Sequence, residues 1–152
     1  MNIERERVML SRSKAMTLVV MLVSIASPTF AANKPMFSFT YTKVTYSCKQ
    51  ANGRTKQVAV YSQVFGMCYQ DSVSHIAYAK NTQSRSAEQA ATPLCDGTLS
   101  VPSISGGVPY QGPNSVATPA EKDRQEDIRG AVKYGAVTGS YFVVAPYSTN
   151  CQ

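Results

Sequence analysis

The chain has 152 residues, 43% of them hydrophobic, and its 15 Lys and Arg outnumber 9 Asp and Glu, for a formal net charge of +6. That length supports a single domain with a modest core. One histidine, four cysteines and no tryptophan leave little material for a metal cluster or a histidine relay.

The first element in chain order is a leader. Met1 to Lys14 carries Arg5, Arg7, Arg12 and Lys14 against Glu4 and Glu6, and an apolar run of about 12 residues follows from Ala15 to Ala26. Pro28 and the small residues Ala31 and Ala32 come next. Charged, apolar, then small is the order of a secretory signal, and Thr29 and Ala31 fit the positions before cleavage. The run is well short of the roughly 20 apolar residues of a membrane span. The expected organisation is a cleaved signal over 1–31 and one exported domain over 32–152, with a periplasmic or secreted location. That domain holds 11 basic and 7 acidic residues, a net +4, and between Asn33 and Gln70 there are five positive charges and no negative ones.

Phe37, Phe39 and Tyr41 alternate with polar residues, and Val44, Tyr46 and Cys48 alternate in the opposite phase. The pattern predicts an extended segment with a bulge or bend near Thr42 and Lys43. Asn52-Gly53 signals a two-residue hairpin, and Val58, Val60 and Val64 a return strand. Ser72 to Lys80, with Ile76 and Tyr78 between small residues, reads as a further strand. Ser86 to Ala91 reads as a short helix stopped by Thr92-Pro93. From Gly97 to Ala120 the chain has no charged residue and is rich in Pro and Gly, which predicts a long loop with a functional role. Thr118-Pro119-Ala120-Glu121 is a helix start, with Thr118 capping and Glu121 reaching back. Acids early and Arg129 and Lys133 late suit the helix dipole, so the main helix is placed at about 118–134, with Gly135 ending it. Tyr141 to Ala145, apolar on both faces, predicts a central or helix-covered strand. The fold class is therefore α+β: an antiparallel sheet, one main helix and a long loop, stabilised by disulfides.

Cys48, Cys68, Cys95 and Cys151 are an even number in an exported domain, the pattern of two disulfides. Three pairings are open; pairing neighbours first favours Cys48–Cys68 with Cys95–Cys151. Their wide spacing and the absence of C-x-x-C argue against zinc and against thiol–disulfide catalysis. No metal or other cofactor is expected.

Chemistry-bearing motifs are few. His75 has Asp71 four residues earlier and Ser72 and Ser74 beside it, the material of a weak catalytic candidate, but no Gly-x-Ser-x-Gly elbow accompanies it. Ser105-Gly106-Gly107 lacks the lysine and helix of a phosphate loop. Lys43, Lys49, Arg54 and Lys56 interleave with Tyr46 and Tyr61 in a basic, aromatic stretch; export argues against nucleic acid as its partner.

Tyr46-Ser47-Cys48-Lys49, Val58 to Tyr61 and the Ser105-to-Tyr110 segment partly resemble the periplasmic C-type lysozyme inhibitors. Those are small disulfide-bearing β-barrels that press an S-G-x-x-Y loop into the enzyme. Here the loop holds one residue more and the 118–134 helix has no counterpart, so no membership is assigned.

The expected function is a non-enzymatic exported binding protein that contacts a protein or an anionic cell-envelope polymer through Tyr110, Lys43, Lys49, Arg54 and Lys56. A small secreted hydrolase using His75 and Asp71 is the first alternative. A structural subunit of a surface assembly is the second.

Overall fold

The computed structural model describes residues 36–111, 118–144 and 151. Strand β1 (Met36–Thr40) is followed, after the single residue Tyr41, by β2 (Thr42–Gln50). The predicted phase slip falls there and is more than a bulge, because the chain passes from one sheet into another. β1 pairs antiparallel with β4 (Phe65–Tyr69) and with the short β7 (Tyr110–Gln111), giving a three-stranded sheet in the order β4-β1-β7. β2 turns at Asn52-Gly53 into β3 (Thr55–Ser62), as the hairpin signal predicted, in a register that sets Val44 opposite Val60 and Tyr46 opposite Val58.

This hairpin is the centre of the second sheet. β5 (Gly97–Leu99) and β6 (Ser103–Gly106) pair antiparallel with successive lengths of β2, and β8 (Val137–Tyr141) pairs parallel with β3. The architecture is α+β, with antiparallel pairing everywhere except at β3–β8. The Pro- and Gly-rich stretch expected to be a loop thus supplies three short strands within 97–111, while 112–117 lies outside the described residues.

Three α-helices are present among the described residues. Ser72–Thr82 forms α1 rather than the expected strand. Asp71 is its N-cap, with its carboxylate accepting from the Ser74 N–H at 2.6 Å, and a cap of this kind commits the following turn to helix. α2 (Ser84–Ala91), which contains the predicted Ser86–Ala91 helix, buries Ala87 and Ala91 one turn apart, and a 3-10 turn at Thr92–Leu94 ends it. α3 spans Thr118–Lys133, close to the predicted bounds. It stops where Gly135 takes φ +83°, with Ala136 N–H returning to the Ala131 carbonyl at 3.0 Å and Gly135 N–H to that of Val132 at 2.9 Å, a glycine-dependent C-terminal cap.

The main core lies on one face of the larger sheet. Val44, Tyr46, Cys48, Val58 and Val60 pack there with Phe65, Met67, Ala87, Ala91, Tyr141 and Val143. The final strand is displaced from its expected place: β8 ends at Tyr141 and is an edge, and Phe142 and Val144 are exposed while Val143 is buried. Beyond Tyr141 the Gln63 side chain substitutes for a neighbouring strand. Its Oε1 accepts from Val143 N–H at 2.8 Å and its Nε2 donates to the Val143 carbonyl at 2.9 Å. Ala145 lies outside the described residues.

The disulfides are Cys48–Cys95 and Cys68–Cys151, which corrects the expected pairing; no cysteine is free. The reason is topological. β5 returns the chain beside β2, with Cys48 opposite Leu99, so Cys95 arrives next to Cys48. Cys68 sits in the other sheet, in β4, opposite Phe37.

Candidate functional site

Residues directly opposite one another in a ladder project to the same face. On the face of the larger sheet away from the main core, β2 presents Lys43, Thr45, Ser47 and Lys49, and β3 presents Tyr61, Ala59, Gln57 and Thr55 opposite them. The short strands extend the rows. Ser105 and Ser103 of β6 lie opposite Lys43 and Thr45, and Thr98 of β5 opposite Lys49. The face is thus dense in hydroxyls, with Gln57, Lys49, Thr55, Thr98, Ser103 and Ser105 all exposed. Gln57 Nε2 donates to Ser47 Oγ at 3.2 Å. Among the described residues, the hydroxyls of Thr45, Thr55, Thr98, Ser103 and Ser105 make no hydrogen bond, so their donors and acceptors are open to a ligand.

Helix α3 covers one end of this face. Tyr41, Ala59 and Tyr61 form a second small core there, with Ile128, Ala131 and Val64 against it. A polar hub fastens the helix down. The Lys43 ammonium reaches Asp127 at 2.7 Å and lies 5.6 Å above the Tyr61 ring, while the Tyr41 hydroxyl donates to Asp127 Oδ2 and the Tyr61 hydroxyl to the Asp127 carbonyl, each at 3.3 Å. Burial works against the charge on Lys43, yet the Asp127 hydrogen bond and Tyr61 outweigh it and its pKa is raised. Burial, with Asp127 adding to it, raises the pKa of both tyrosines. These groups hold protons firmly near neutral pH and are fixed donors, not exchangers.

Between the sheet and the C-terminal half of α3 lies an open groove of about 460 Å³. Lys43, Thr45, Gln57 and Ala59 of the sheet form its floor; Asp127 and Ala131 stand on the helix side; Tyr134, 86% exposed, stands at its rim. Arg124 sets the position of the helix above the strands. The residue is 9% exposed, and its guanidinium donates to the Ser62 carbonyl at 2.6 Å, to Glu121 at 2.8 Å and to Ser140 Oγ at 3.3 Å.

Of the five binding residues expected from sequence, the structure gathers three. Lys43 and Lys49 share the open face, and Arg54 follows the hairpin turn at its end. Lys49 and Arg54 are exposed and make no ion pair among the described residues. Lys56 belongs to the opposite face, opposite Cys48, and pairs with Asp96 at 3.2 Å; hydrogen bonds from Gln50 and Lys56 lower the Asp96 pKa. Tyr110 is in the smaller sheet, where its hydroxyl donates to Asp123 of α3.

His75 and Asp71 have separate roles. The Asp71 carboxylate caps α1, and the hydrogen bond from Ser74 lowers its pKa. His75, 1% exposed, sets Nε2 3.0 Å from Thr42 Oγ1, and its ring meets those of Phe65 and Tyr69 edge-on. Burial lowers its pKa. Sequence reasoning missed the hydroxyl rows of β5 and β6. Their signal in the sequence is two alternating pairs, Thr98 with Ser100 and Ser103 with Ser105, each too short a run for a period to emerge.

No cluster of three or more His, Cys, Asp or Glu side chains suited to a metal occurs among the described residues, and no described helix is long and apolar enough to cross a membrane. Two disulfides are the chemistry of an oxidising compartment. No protein-family model, curated protein or solved structure matches this chain.

Proposed function

We propose that the chain is an exported, periplasmic or secreted, non-enzymatic binding protein. Its contact surface is the open face of β2, β3, β5 and β6 beside α3, and its partner is a protein or an anionic polymer of the cell envelope. The observation that carries this reading is the groove rimmed by Tyr134 and floored by Thr45 and Gln57, continuous with exposed hydroxyls and reaching the exposed cations Lys49 and Arg54. Concave surfaces with a few convergent polar groups and an aromatic rim are typical of binding sites. The positive hairpin end draws in an anionic partner. A stapled scaffold presents this surface without ordering cost on binding.

Capture of envelope extract by the immobilised, oxidised full chain tests the placement. Gln57→Ala with Tyr134→Ala and Lys49→Ala removes groups that carry none of the core and should abolish capture with the melting temperature unchanged. Lys80→Ala on α1 is the control and should bind normally. Undiminished capture by the triple variant would refute this site.

A further inference from the structure

The chemistry of the open face narrows the partner further. We propose that it takes an acidic polysaccharide laid along β2, an inference that rests on the binding function above. From Lys43 to Lys49 the strand runs about 20 Å, enough for several sugar rings in a row. Along that length the groups offered are hydroxyls and an amide: Thr45, Gln57, Ser103, Ser105 and Thr98. Each hydroxyl both donates and accepts, which matches a ligand whose own rim is made of hydroxyls. Along the β3 side, beside Gln57, the exposed Tyr134 ring lines the groove and offers a flat apolar surface for the C–H face of a pyranose. At the hairpin end Lys49 and Arg54 are the charges available to a carboxylate, and Arg54 can take it bidentately.

Two other classes of partner fit less well. A protein interface needs a desolvated centre anchored by large apolar or aromatic side chains, and the outward rows contain none outside the part already under α3. A nucleic acid demands many phosphate contacts. Here Lys43 is held by Asp127, which leaves Lys49 and Arg54 as the cations of this face and its hairpin that make no ion pair among the described residues.

Affinity electrophoresis of the oxidised full chain tests the proposal in native gels containing alginate (a polyuronate), dextran (neutral) or poly-glutamate (anionic, without hydroxyls). Alginate should retard the protein about tenfold more effectively than dextran, and poly-glutamate should not retard it. Thr45→Val with Ser103→Ala and Ser105→Ala should weaken alginate binding by about tenfold at an unchanged melting temperature. Lys49→Ala with Arg54→Ala should remove most of its salt dependence. Equal retardation by poly-glutamate overturns the glycan in favour of plain charge attraction, and equal retardation by dextran overturns the role given to the two cations. Failure of alginate alongside face-dependent capture of envelope extract overturns the polysaccharide and leaves the binding function standing. Failure of both overturns both.

Discussion

Replacing Arg124 by methionine keeps most of the aliphatic stem and removes the guanidinium that ties α3 to β3 and β8. The bond to the Ser62 carbonyl, 2.6 Å long and buried, is charge-assisted and should contribute about 1.5–3 kcal/mol. The 3.3 Å bond to Ser140 Oγ is weaker, and a neutral acceptor at that distance adds about 0.5 kcal/mol. Glu121 is 43% exposed at its side chain, so solvent limits that ion pair to about 0.5 kcal/mol or less. Together these predict a loss of about 3 kcal/mol, or a urea midpoint lower by about 1.5–2 M at an m-value typical of a small domain. Arg124→Lys should recover only part, since an ammonium keeps the charge but cannot reach three acceptors in one plane. Urea unfolding followed by circular dichroism gives the number. A loss below about 1 kcal/mol would refute the clamp and mean that Ile128 and Ala131 alone seat the helix.

Other outcomes follow from the same geometry. His75 is buried and its pKa is lowered, so the stability from its neutral form is complete above its ordinary value of 6.5 and falls as pH drops below it through the folded value. Melting temperatures between about pH 7.5 and pH 5 should decline in the parent and much less in His75→Gln; parallel curves would contradict this. Gly106→Ala would drive a Cβ into Cε1 and Nδ1 of the His75 ring, and the forced shift should cost about 1–3 kcal/mol in urea unfolding. A double-mutant cycle of Lys43→Met with Asp127→Leu should give a coupling of about 1 kcal/mol, the pair, with side chains 25% and 32% exposed, being partly screened. A non-reduced tryptic digest should contain peptide 44–49 joined to 86–122 and 57–80 joined to 134–152; 44–49 joined to 57–80 would refute the disulfide topology.

What the sequence disclosed was local. The Thr118-Pro119-Ala120-Glu121 start falls on the first turn of α3 and Gly135 on its stop, and Asn52-Gly53 marks its hairpin, because such signals act over a single turn. Ile76 and Tyr78 suggest alternation over what is the α1 helix, although Asp71 before Ser72 is a legible N-cap signal. The shift of the last strand has a tertiary cause: the Gln63 side chain takes the place of a neighbouring backbone at Val143, and no window of sequence contains both residues. The disulfide pairing depends on which strand β5 returns beside, which is likewise non-local. For the candidate site, the cations Lys43, Lys49 and Arg54 were found by charge counting. The separation of Lys56 from them follows from a period of two, which puts it on the face opposite its neighbours 55 and 57. The hydroxyl rows emerge only once β6 and β5 are laid against β2.

The two disulfides overlap along the chain: one bridges 48 to 95 and the other 68 to 151. A single proteolytic nick anywhere between 48 and 151 therefore falls inside at least one closed loop, and the two pieces stay joined. Bridges of 48 to 68 and 95 to 151 would have left the helical stretch between Cys68 and Cys95 outside both loops, where one cut divides the protein. In surroundings rich in proteases, the overlapping arrangement turns a severing event into a tolerated scar.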